Sequence, residues 1–569
     1  MKSLIKDKYP LYLNMREMVY DSAEKYGEKT YLRFFRPDKT IGEISFHGFS
    51  LLVEDLSAYF YMPENGCDRI AILSENRFEW LVTYVAAVAA GKTVIPLDKE
   101  LSFDQASAFM QIAEADTLVY SSAFAAKIAA MPDCGIKKFI CLDGFEIDGW
   151  PRFTTLRRCI STGDIAVATG EVDMRRIRTD SSRVCAIIFT SGTTGTSKGV
   201  MLTEDNILAC IHASSNMVNI DDKDTIFSVL PYHHTYELCC GLLTPICIGT
   251  TVCINNSLKY FTKNIQLFRP TAMVLVPMFI STLASKIESG IEKSHLAPLL
   301  KGGTFVSNKA RKVGIDFRRL LYAKVHSTLG GKLKTIICGG AALDPQYVKR
   351  FEEFGISIAQ GYGITECAPL VSVTPWKKVK YDSVGLPIPG SIVKIMGEDE
   401  NGEEYDLPVG EIGEICVKGP HVMKGYYKNP EATAEAFNKE GFFKTGDYGR
   451  LDEDGYLYIT GRKKNIIIFD NGKNVYPEEI EEYIYRLDIV KECVVCARDV
   501  NGDQMLTAVI FPDYEKFAGR TEDEIKETFK KEIANINREL PSFKQVHHIE
   551  IKKTEFEKTS TKKILRYKV

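Results

Sequence analysis

The sequence predicts an α/β protein with a large N-terminal domain of doubly wound sheets, a small β subdomain and a smaller α+β C-terminal domain. The first observation is that apolar runs alternate with amphipathic stretches from about residue 68, in RIAILSENRFEWLVTYVAAVAAGKTVIPLD. The same alternation recurs in TAMVLVPMFISTLASKI and KTIICGGAAL, and it is typical of parallel sheets covered by helices. The second observation is that the pattern changes near residue 384 and again after Arg462.

Residues 384 to 462, approximately, are predicted to form the small antiparallel β subdomain. GEDENGEEYD, VGEIGEICVKGP and LDEDGYLYITGR are short β-rich runs, in which Asn401-Gly402 and Asp454-Gly455 favour tight turns. After Arg462 we expect a helix from Pro477 to Arg486. Two strands and a lysine-rich tail follow it, the strands lying around residues 493–497 and 505–511 with Asn501-Gly502 between them.

Length and composition indicate a multidomain globular protein. The chain of 569 residues exceeds one ordinary domain, and we place a boundary near Lys463 and Lys464, giving domains 1–462 and 463–569. With 45% hydrophobic residues, 26% charged residues and a net charge of -3, the composition is that of an ordinary soluble protein. This charge balance argues against general nucleic-acid binding.

Targeting signals and cysteine usage indicate the compartment. MKSLIKDKYPLYLNM lacks the apolar core of a signal peptide, and the best candidate for a membrane span, residues 238–254, is interrupted by Gly241, Pro245 and Gly249. Fifteen cysteines without a secretion signal predict reduced thiols. We therefore expect a cytoplasmic protein without a transmembrane segment, and peripheral contact with the inner membrane face stays open.

Several common functional motifs are missing from the sequence. H-E-x-x-H, G-x-G-x-x-G and EF-hand patterns do not occur, so metalloprotease and dinucleotide functions lose their usual support. The one C-x-x-C, Cys493 to Cys496, falls in a predicted strand, where residues three apart face opposite sides. A metal shared by this pair is not expected.

The segment TSGTTGTSKGV, residues 190–200, is the first candidate binding element. It follows the buried run Val184 to Phe189, so we expect a loop at the carboxyl end of a strand, where α/β sheets place ligands. Glycine backbone and hydroxyl donors close around an anion, and Lys198 would supply a positive charge to a phosphate chain. The G-x-x-x-x-G-K-[ST] loop does not fit, because Ser197 and Gly199 occupy its glycine and Ser/Thr positions. A mobile polar loop stays the alternative from composition alone.

Five further segments carry side chains that suit a nucleotide. KTIICGGAAL ends a strand in small residues that let a flat ligand lie against backbone, and AQGYGITECAP offers Tyr362 for stacking, the Thr365 hydroxyl, and the Glu366 carboxylate for Mg2+. FKTGDYGRL offers Asp447, whose two oxygens suit the hydroxyls of a ribose. ITGRKKNIIIFDNGKNVYPEEIE offers Arg462 and a glycine-containing loop, and EKTSTKKILRYKV offers two adjacent lysines. Singly, each residue also fits an ordinary core, capping or surface role.

Together, in this order and spacing, these segments resemble the adenylate-forming family, which contains acyl-CoA synthetases, peptide-synthetase adenylation domains and beetle luciferases. The resemblance runs across almost the whole chain. It implies that residues 190–200 hold the β and γ phosphates of ATP while pyrophosphate leaves. It also implies an acyl-adenylate intermediate, transfer of the acyl group to a thiol, and a mobile C-terminal α+β domain that rotates about a hinge between the two steps.

Matched position by position, the resemblance assigns an ATP- or AMP-binding set and a catalytic set. The binding set is Thr190, Ser191, Gly192, Thr193, Thr194, Gly195, Lys198, Gly340, Ala341, Ala342, Gly361, Tyr362, Gly363, Thr365, Asp447 and Arg462. The catalytic set is Lys563, Glu366, Lys198 and Thr365. Tyr362 would stack on adenine, Asp447 and Arg462 would hold the ribose, and Glu366 would carry Mg2+.

The remaining assignments concern the acyl group, the thiol and the hinge. His234 in LPYHHTYE matches a histidine that borders the acyl pocket, to which we also assign Tyr236; Lys464 matches the hinge. The CoA region is Gly472, Lys473 and Asn474. Lys563, directly before Ile564, is similar to the catalytic lysine, but Lys562 stands where many members have glycine, so which of the two enters the site stays open.

LPYHHTYE and GRKKNIIIFDNGKNVYPEEIE look most like long-chain fatty acyl-CoA synthetases. We therefore expect an ATP-dependent fatty acid:CoA ligase that uses ATP, Mg2+ and CoA. No carrier domain follows residue 569, which argues against a modular peptide synthetase. Two alternatives remain: transfer to a free acyl carrier protein, and a nucleotide-binding regulator without turnover. The presence of Lys198, Glu366, Asp447, Arg462 and Lys563 argues against the regulator, since a mere binder does not need the C-terminal lysine.

Overall fold

A computed structural model describes residues 5–129, 134–143, 153–190, 197–294, 297–469, 474–500, 503–558 and 564–569. The chain forms two compact units, Met1–Ile392 with Val417–Phe437, and Val393–Cys416 with Asn438–Val569. The second unit thus groups much of the predicted β subdomain with the C-terminal residues. The division at residue 462 stays a prediction.

A nine-stranded sheet crosses the first unit. Its six central strands run parallel, and antiparallel strands flank them on both edges. The four innermost strands are short and almost fully buried, as expected for a parallel sheet covered on both faces. Across the sheet, the strands are β16 (Leu386–Pro387), β15 (Leu370–Val373), β14 (Ser357–Gly363), β13 (Thr335–Cys338), β12 (Ala272–Leu275), β10 (Thr225–Ser228), β11 (Thr251–Ile254), β1 (Thr30–Phe35) and β2 (Ile41–Ser45).

An eight-stranded sheet completes the first unit. Six of its strands are parallel, and two antiparallel strands close one edge. The predicted strand–helix–strand alternation after residue 68 is confirmed, because β3 and β4 pair in parallel on either side of a buried helix. Across the sheet, the strands are β20 (Gly425–Tyr426), β9 (Lys198–Thr203), β8 (Val184–Thr190), β4 (Thr93–Pro96), β3 (Arg69–Leu73), β5 (Thr117–Tyr120), β6 (Lys138–Cys141) and β7 (Phe153–Thr155).

Fifteen α-helices accompany these two sheets within the described residues. Several begin where local chemistry predicts, since Ser102 with Gln105 and Thr203 with Asn206 form capping boxes. No helix of the described part of the chain is long and apolar enough to span a bilayer. The helices are α1 (Met15–Tyr26), α2 (Phe46–Tyr61), α3 (Phe78–Ala89), α4 (Phe103–Ile112), α5 (Ala125–Ala129), α6 (Leu156–Ala168), α7 (Glu204–Met217), α8 (Thr244–Ile248), α9 (Phe261–Phe268), α10 (Pro277–Lys293), α11 (Ala297–Arg311), α12 (Arg318–Leu321), α13 (Ala323–Thr328), α14 (Pro345–Phe354) and α15 (Pro430–Ala436).

A five-stranded sheet lies at the start of the second unit. The predicted turns are present: Gly402 between the first two strands in sequence and Gly455 between the last two both adopt positive φ angles, of 78° and 82°. In sheet order, the strands are β18 (Glu404–Asp406), β17 (Ile392–Glu398), β19 (Gly413–Lys418), β21 (Phe443–Leu451) and β22 (Leu457–Arg462).

The C-terminal residues form an α+β layer around their own core, which contains Ile480, Ile510 and Phe529. The predicted helix from residue 477 is confirmed and ends at Tyr485, one residue earlier than expected. The predicted turn Asn501-Gly502 lies outside the described residues. The elements are β23 (Ile467–Ile468), β24 (Asn474–Val475), α16 (Pro477–Tyr485), β25 (Val490–Val500), β26 (Asp503–Pro512), α17 (Glu522–Asn537) and β27 (His548–Ile551).

Candidate active site

The predicted phosphate loop connects two antiparallel strands. Thr190 at the end of β8 pairs with Lys198 at the start of β9, and the Thr190 hydroxyl donates to the Lys198 carbonyl at 3.4 Å. The expected buried strand before the loop is present, since Cys185 to Ile188 are buried. The five predicted loop residues, Ser191, Gly192, Thr193, Thr194 and Gly195, lie outside the described residues.

Lys198 and Glu366, which come from two distant motifs, contact the same side chain. The Lys198 Nζ atom lies 4.7 Å from the ring centroid of Tyr426, a cation–π distance. The Tyr426 hydroxyl donates to Glu366 Oε1 at 3.0 Å. Burial and the neighbouring Glu366 carboxylate raise the pKa of Tyr426, so its hydroxyl keeps its proton and donates. The structure therefore brings the two predicted residues together through a tyrosine that sequence reasoning missed.

The backbone around Tyr426 holds both motifs in place. The Met423 amide donates to the Glu366 carbonyl at 2.7 Å, and the Tyr427 amide donates to the Gly199 carbonyl at 2.7 Å. Gly425 has a φ of 142°, and a Cβ atom there would lie 2.7 Å from the Thr433 side chain. This position therefore requires glycine. The ring of the next residue, Tyr426, is thereby fixed between the Lys198 and Glu366 motifs.

Small residues open the carboxyl ends of β13 and β14. Gly340 has a φ of 87°, and it is exposed together with Ala341 and Ala342. A Cβ atom on Gly363 would lie 2.0 Å from the Pro369 carbonyl oxygen, so the close approach of the two chain segments requires glycine there. Because glycine and alanine have small side chains, they leave room near the strand ends, as a flat ligand would need.

Tyr362, Gly361 and Thr365 lie on the same stretch as Glu366. Tyr362 stands on β14 opposite Ser372, and the one-turn helix Thr365–Cys367 follows at once. Gly361, Tyr362 and Thr365 are all partly exposed. The structure therefore places the predicted base-binding and phosphate-binding residues next to each other in the chain and accessible to a ligand.

His234 and Tyr236, the predicted acyl-pocket pair, follow strand β10. The Tyr236 hydroxyl donates to the backbone carbonyls of Ile337 at 3.1 Å and Leu275 at 3.3 Å, so it ties the ends of β12 and β13. The His234 ring lies 4.0 Å from that of His233. Burial, with His234 beside it, lowers the pKa of His233, although its Nε2 atom lies 3.5 Å from Asp98 Oδ2. His233 is thus neutral near pH 7.

A buried carboxyl group, Glu237, comes next in the chain. Its side chain accepts a hydrogen bond from the Ser228 hydroxyl, and an added Cβ on Gly241 would lie 2.8 Å from its carboxyl carbon. Burial raises the pKa of Glu237 to about 8. Glu237 opens a π-helical turn, Glu237–Leu243, a rare conformation that is frequent at functional sites. The sequence analysis assigned this residue no role.

Asp447 and Arg462, the predicted ribose pair, are neighbours in the second unit. They face each other across β21 and β22, and Arg462 Nε lies 2.7 Å from Asp447 Oδ1. Asp447 is 4% exposed, whereas the Arg462 side chain is 45% exposed. The carboxylate is therefore held by an accessible guanidinium group.

Two residues of the predicted hinge and CoA region, Lys464 and Asn474, lie within the described part of the chain. Lys464 lies in the one-turn helix Lys463–Asn465, and Lys463 beside it forms an ion pair with Glu414 at 2.7 Å. Asn474 opens β24. The other predicted members of these sets, Gly472, Lys473, Lys562 and Lys563, lie outside the described residues.

The His, Cys, Asp and Glu side chains show which residues could hold a metal ion. Within the described part of the chain, no group of three or more His, Cys, Asp and Glu side chains is arranged to hold a metal ion. Cys493 and Cys496 pack in different apolar clusters, so the expectation that they share no metal is consistent with the fold. A single carboxylate such as Glu366 suits Mg2+, which keeps several waters and is usually shared with substrate phosphates.

The parallel sheets and the accessible residues at their carboxyl ends define the class of protein: an α/β protein of the type that binds ligands beyond the ends of its strands. Residues 19–427 match the family described as AMP-binding enzyme, and residues 464–569 match the AMP-binding enzyme C-terminal domain. The chain therefore belongs to the AMP-binding enzyme family, which confirms the resemblance found in its motifs.

Named relatives agree with this assignment, and solved structures share the fold. Long-chain-fatty-acid–CoA ligase FadD15 of Mycobacterium bovis is 27% identical over 79% of this chain and 74% of its own. Long-chain-fatty-acid–[acyl-carrier-protein] ligase AEE15 of Arabidopsis thaliana is 28% identical over 90% of this chain and 77% of its own. The anthranilate CoA ligase AuaEII has a TM-score of 0.77 at 19% identity, with 98% of this chain and 97% of the other covered. ATP-bound MatB from Rhodopseudomonas palustris has a TM-score of 0.72 at 24% identity, with 98% of each chain covered.

Proposed function

We propose that the protein is an ATP-dependent fatty acid:CoA ligase. The observation that carries the proposal is the contact of both Lys198 and Glu366 with Tyr426. It brings together, from separate motifs, the cation that we assign to phosphate and the carboxylate that we assign to Mg2+. Membership of the AMP-binding enzyme family supports the nucleotide, and relatives named as fatty acid ligases support the acid.

The first step joins the acid to ATP. A carboxylate oxygen of the fatty acid attacks the α-phosphorus, the bond to the bridging oxygen breaks, and pyrophosphate leaves, giving an acyl-adenylate. Charge on the phosphoryl oxygens rises in the transition state, and Lys198 stabilises it. Glu366 would hold Mg2+, which supplies further neutralisation of the phosphate oxygens when bound. Thr365 would donate to phosphate, Tyr362 would stack on adenine, and Asp447 with Arg462 would bind the ribose hydroxyls.

The second step transfers the acyl group to the sulfur of CoA. The thiol sulfur attacks the acyl carbon of the adenylate, AMP leaves, and the thiol proton passes to solvent or to a neighbouring base. Lys563 serves adenylation and must vacate the site before the thiol enters. We assign this exchange to rotation of the C-terminal domain about Lys464, with Gly472, Lys473 and Asn474 in the CoA region.

An acyl carrier protein is the second candidate acceptor, because the Arabidopsis relative that covers 90% of this chain is named as an acyl-carrier-protein ligase. The chemistry of the second step is the same, since the carrier also presents a thiol. We favour CoA because of the likeness to FadD15. We further infer a cytoplasmic location, as all fifteen cysteines are free thiols.

The decisive experiment measures exchange of labelled pyrophosphate into ATP with a panel of short, medium and long carboxylic acids, with and without CoA. We expect exchange that depends on a fatty acid and on Mg2+ but not on CoA. Thioester formation is then measured with CoA and, in parallel, with a free acyl carrier protein. Absence of exchange with every acid would refute the proposal, and acylation of the carrier without consumption of CoA would favour the second candidate.

A further inference from the structure

The described residues 564–569 follow directly after the lysine that we assign to adenylation. They return beside the segment that precedes it, since Lys558 and Ile564 form an antiparallel bridge. Only the five residues 559–563 lie between the bridge partners, and we call them the lysine segment. Lys563 is bonded to Ile564, so whatever holds residues 564–569 in place sets the point from which the Lys563 side chain starts.

A largely buried ion pair fixes residues 564–569 to helix α16. Arg566 Nη2 donates to the Glu481 carboxylate, and the two side chains are 24% and 9% exposed. The other Glu481 oxygen accepts from the Val495 amide on β25 at 2.6 Å, so the sheet holds the carboxylate in turn. Arg566 Nη1 also donates to the Val495 carbonyl at 3.4 Å. Charge-assisted bonds between groups shielded from water are strong and fix geometry.

A second carboxylate holds the segment that precedes the lysines. Glu492 on β25 accepts from the Phe556 amide at 2.8 Å and forms an ion pair with Lys558, and its side chain is 12% exposed. Phe556 and Ile564 pack in the same apolar cluster. Both ends of the lysine segment are therefore anchored, one by Glu492 and the other by Glu481.

The ion pair of Arg566 also connects the C-terminal residues to the residue after the predicted hinge. Glu478, three residues before Glu481 on α16, accepts from the Asn465 side chain at 2.5 Å, and its Oε1 atom lies 4.0 Å from Arg566 Nη2. Asn465 comes directly after Lys464 in the chain. All of these residues belong to the second unit, so one helix joins the C-terminal residues to the residue that follows the hinge.

From these contacts we infer that Arg566 and Glu481 are positioning residues for the adenylation lysine, Lys563. They hold the lysine segment on α16, so that Lys563 reaches the phosphates in the first step and leaves with the rest of the domain when the hinge rotates. The alternative is a purely structural ion pair, which would stabilise the domain without favouring either half-reaction. The inference rests on the proposed function, because it concerns the lysine of the first step.

The test measures acyl-adenylate formation from fatty acid and ATP, and separately thioester formation from supplied acyl-adenylate and CoA. Arg566→Met and Glu481→Gln should each lower the first rate about tenfold to a hundredfold and leave the second within about twofold, because small displacements of a reacting group cost this much. Arg566→Lys keeps the charge and should recover part of the first rate. Lys544→Met is the matched control, since it removes the ion pair with Glu479 on the same helix and should leave both rates unchanged.

A double-mutant cycle separates a positioning role from a structural one. On a Lys563→Ala background, Arg566→Met should cause no further loss of adenylation, because the residue that it positions is already missing. On a Lys562→Ala background, the full loss should remain. Circular dichroism and thermal melting establish that the variants fold, and Glu481→Gln carries the same cycle if Arg566→Met unfolds.

Equal losses in the two half-reactions, or a further loss on the Lys563→Ala background, would overturn the inference. Unfolding of Arg566→Met, Arg566→Lys and Glu481→Gln alike would show a structural ion pair and would overturn it as well. In each of these cases the wild type still forms acyl-adenylate, so the proposed function stands. A wild type that forms no acyl-adenylate would instead refute the proposed function and this inference with it.

Discussion

The Tyr426 hydroxyl donates a hydrogen bond to Glu366 Oε1 at 3.0 Å, and the Tyr426 ring lies under the Lys198 ammonium group at 4.7 Å. One side chain thus orients an acidic and a basic group that are far apart in the sequence. Because Tyr426 is buried and anchored on β20, neither group can shift far without losing this contact. Tyr426 acts through its neighbours and is a positioning residue.

Tyr426→Phe tests this positioning role. The variant keeps the ring beneath Lys198 but removes the donor to Glu366, a bond to a charged acceptor worth about 1.5–3 kcal/mol. We expect pyrophosphate exchange to fall about tenfold or more and to require a higher Mg2+ concentration. The neighbouring Tyr427→Phe is the matched control, since its hydroxyl contacts Glu114 instead. An unchanged Mg2+ requirement in Tyr426→Phe would contradict the role.

Glu366→Ala should impair activity more than Lys198→Ala. The carboxylate would carry the metal, whereas the phosphate loop keeps many other donors after its lysine is removed. Loss of one such charge contact typically costs about 3–4 kcal/mol in the transition state, so we expect a loss of about a hundredfold to a thousandfold for Glu366→Ala. Exchange of pyrophosphate measures it, with exposed Glu431→Ala as control. Near-normal rates in both variants would place the phosphate site elsewhere.

The sequence predicted the fold class, whereas the roles of the site residues stay predictions. Lys198, Tyr362 and Glu366 stand out because small residues, a hydroxyl or a lone charge beside a strand leave a local pattern. Tyr426 left none, since its role arises from the pairing of β20 with β9, more than 220 residues away in sequence. Long-range pairing of this kind has no signature in a single segment.

The strand–helix alternation and the turn glycines were predicted because they depend on local sequence patterns. These patterns repeat every two residues in a strand and every 3.6 residues in a helix. The division of the two units was harder, because Val393–Cys416 joins the C-terminal residues while Val417–Phe437 returns to the first unit. A chain that crosses between units leaves no compositional break. Glu237 was missed for a similar reason, since only its burial distinguishes it from a surface carboxylate.

Glu237→Gln should change the pH dependence of stability. With a pKa of about 8 in the folded chain, Glu237 keeps a proton that the unfolded chain releases above its ordinary value of 4.5. The wild type therefore loses stability as pH rises from about 5 to 8, by up to roughly 1.4 kcal/mol per unit, and the neutral glutamine does not. Relative to the wild type, the variant should gain about 2–4 kcal/mol over that range.

Urea unfolding followed by tryptophan fluorescence measures this effect, since all three tryptophans, including buried Trp80, belong to the first unit. Exposed Glu171→Gln is the control and should follow the wild-type pH profile. Parallel profiles for wild type and Glu237→Gln would show that Glu237 is already ionised in the folded chain.

Asp447→Asn tests the ribose assignment. The asparagine keeps the shape of the aspartate side chain, but only its single carbonyl oxygen accepts hydrogen bonds. It also loses the ion pair with Arg462. We expect KM for ATP to rise about tenfold, and the preference for ATP over 2′-deoxy-ATP to shrink by a similar factor, because each lost bond is worth about 1–3 kcal/mol. Exposed Asp454→Asn should leave both values unchanged. An unaltered preference in Asp447→Asn would remove the ribose from this pair.

The last prediction separates the two half-reactions. If Lys563 enters the site only for adenylation, Lys563→Ala should nearly abolish acyl-adenylate formation, yet still convert supplied acyl-adenylate and CoA to thioester. Lys464→Pro should do the reverse, because proline fixes φ in the one-turn helix Lys463–Asn465 and restricts the rotation that admits the thiol. Lys562→Ala is the control and should be much milder.

A severe adenylation defect in Lys562→Ala with an active Lys563→Ala would move the catalytic role by one residue. If Lys464→Pro impairs both steps equally and neither terminal lysine matters, this protein does not use two conformations, since a hinge that serves one step alone cannot damage both to the same extent.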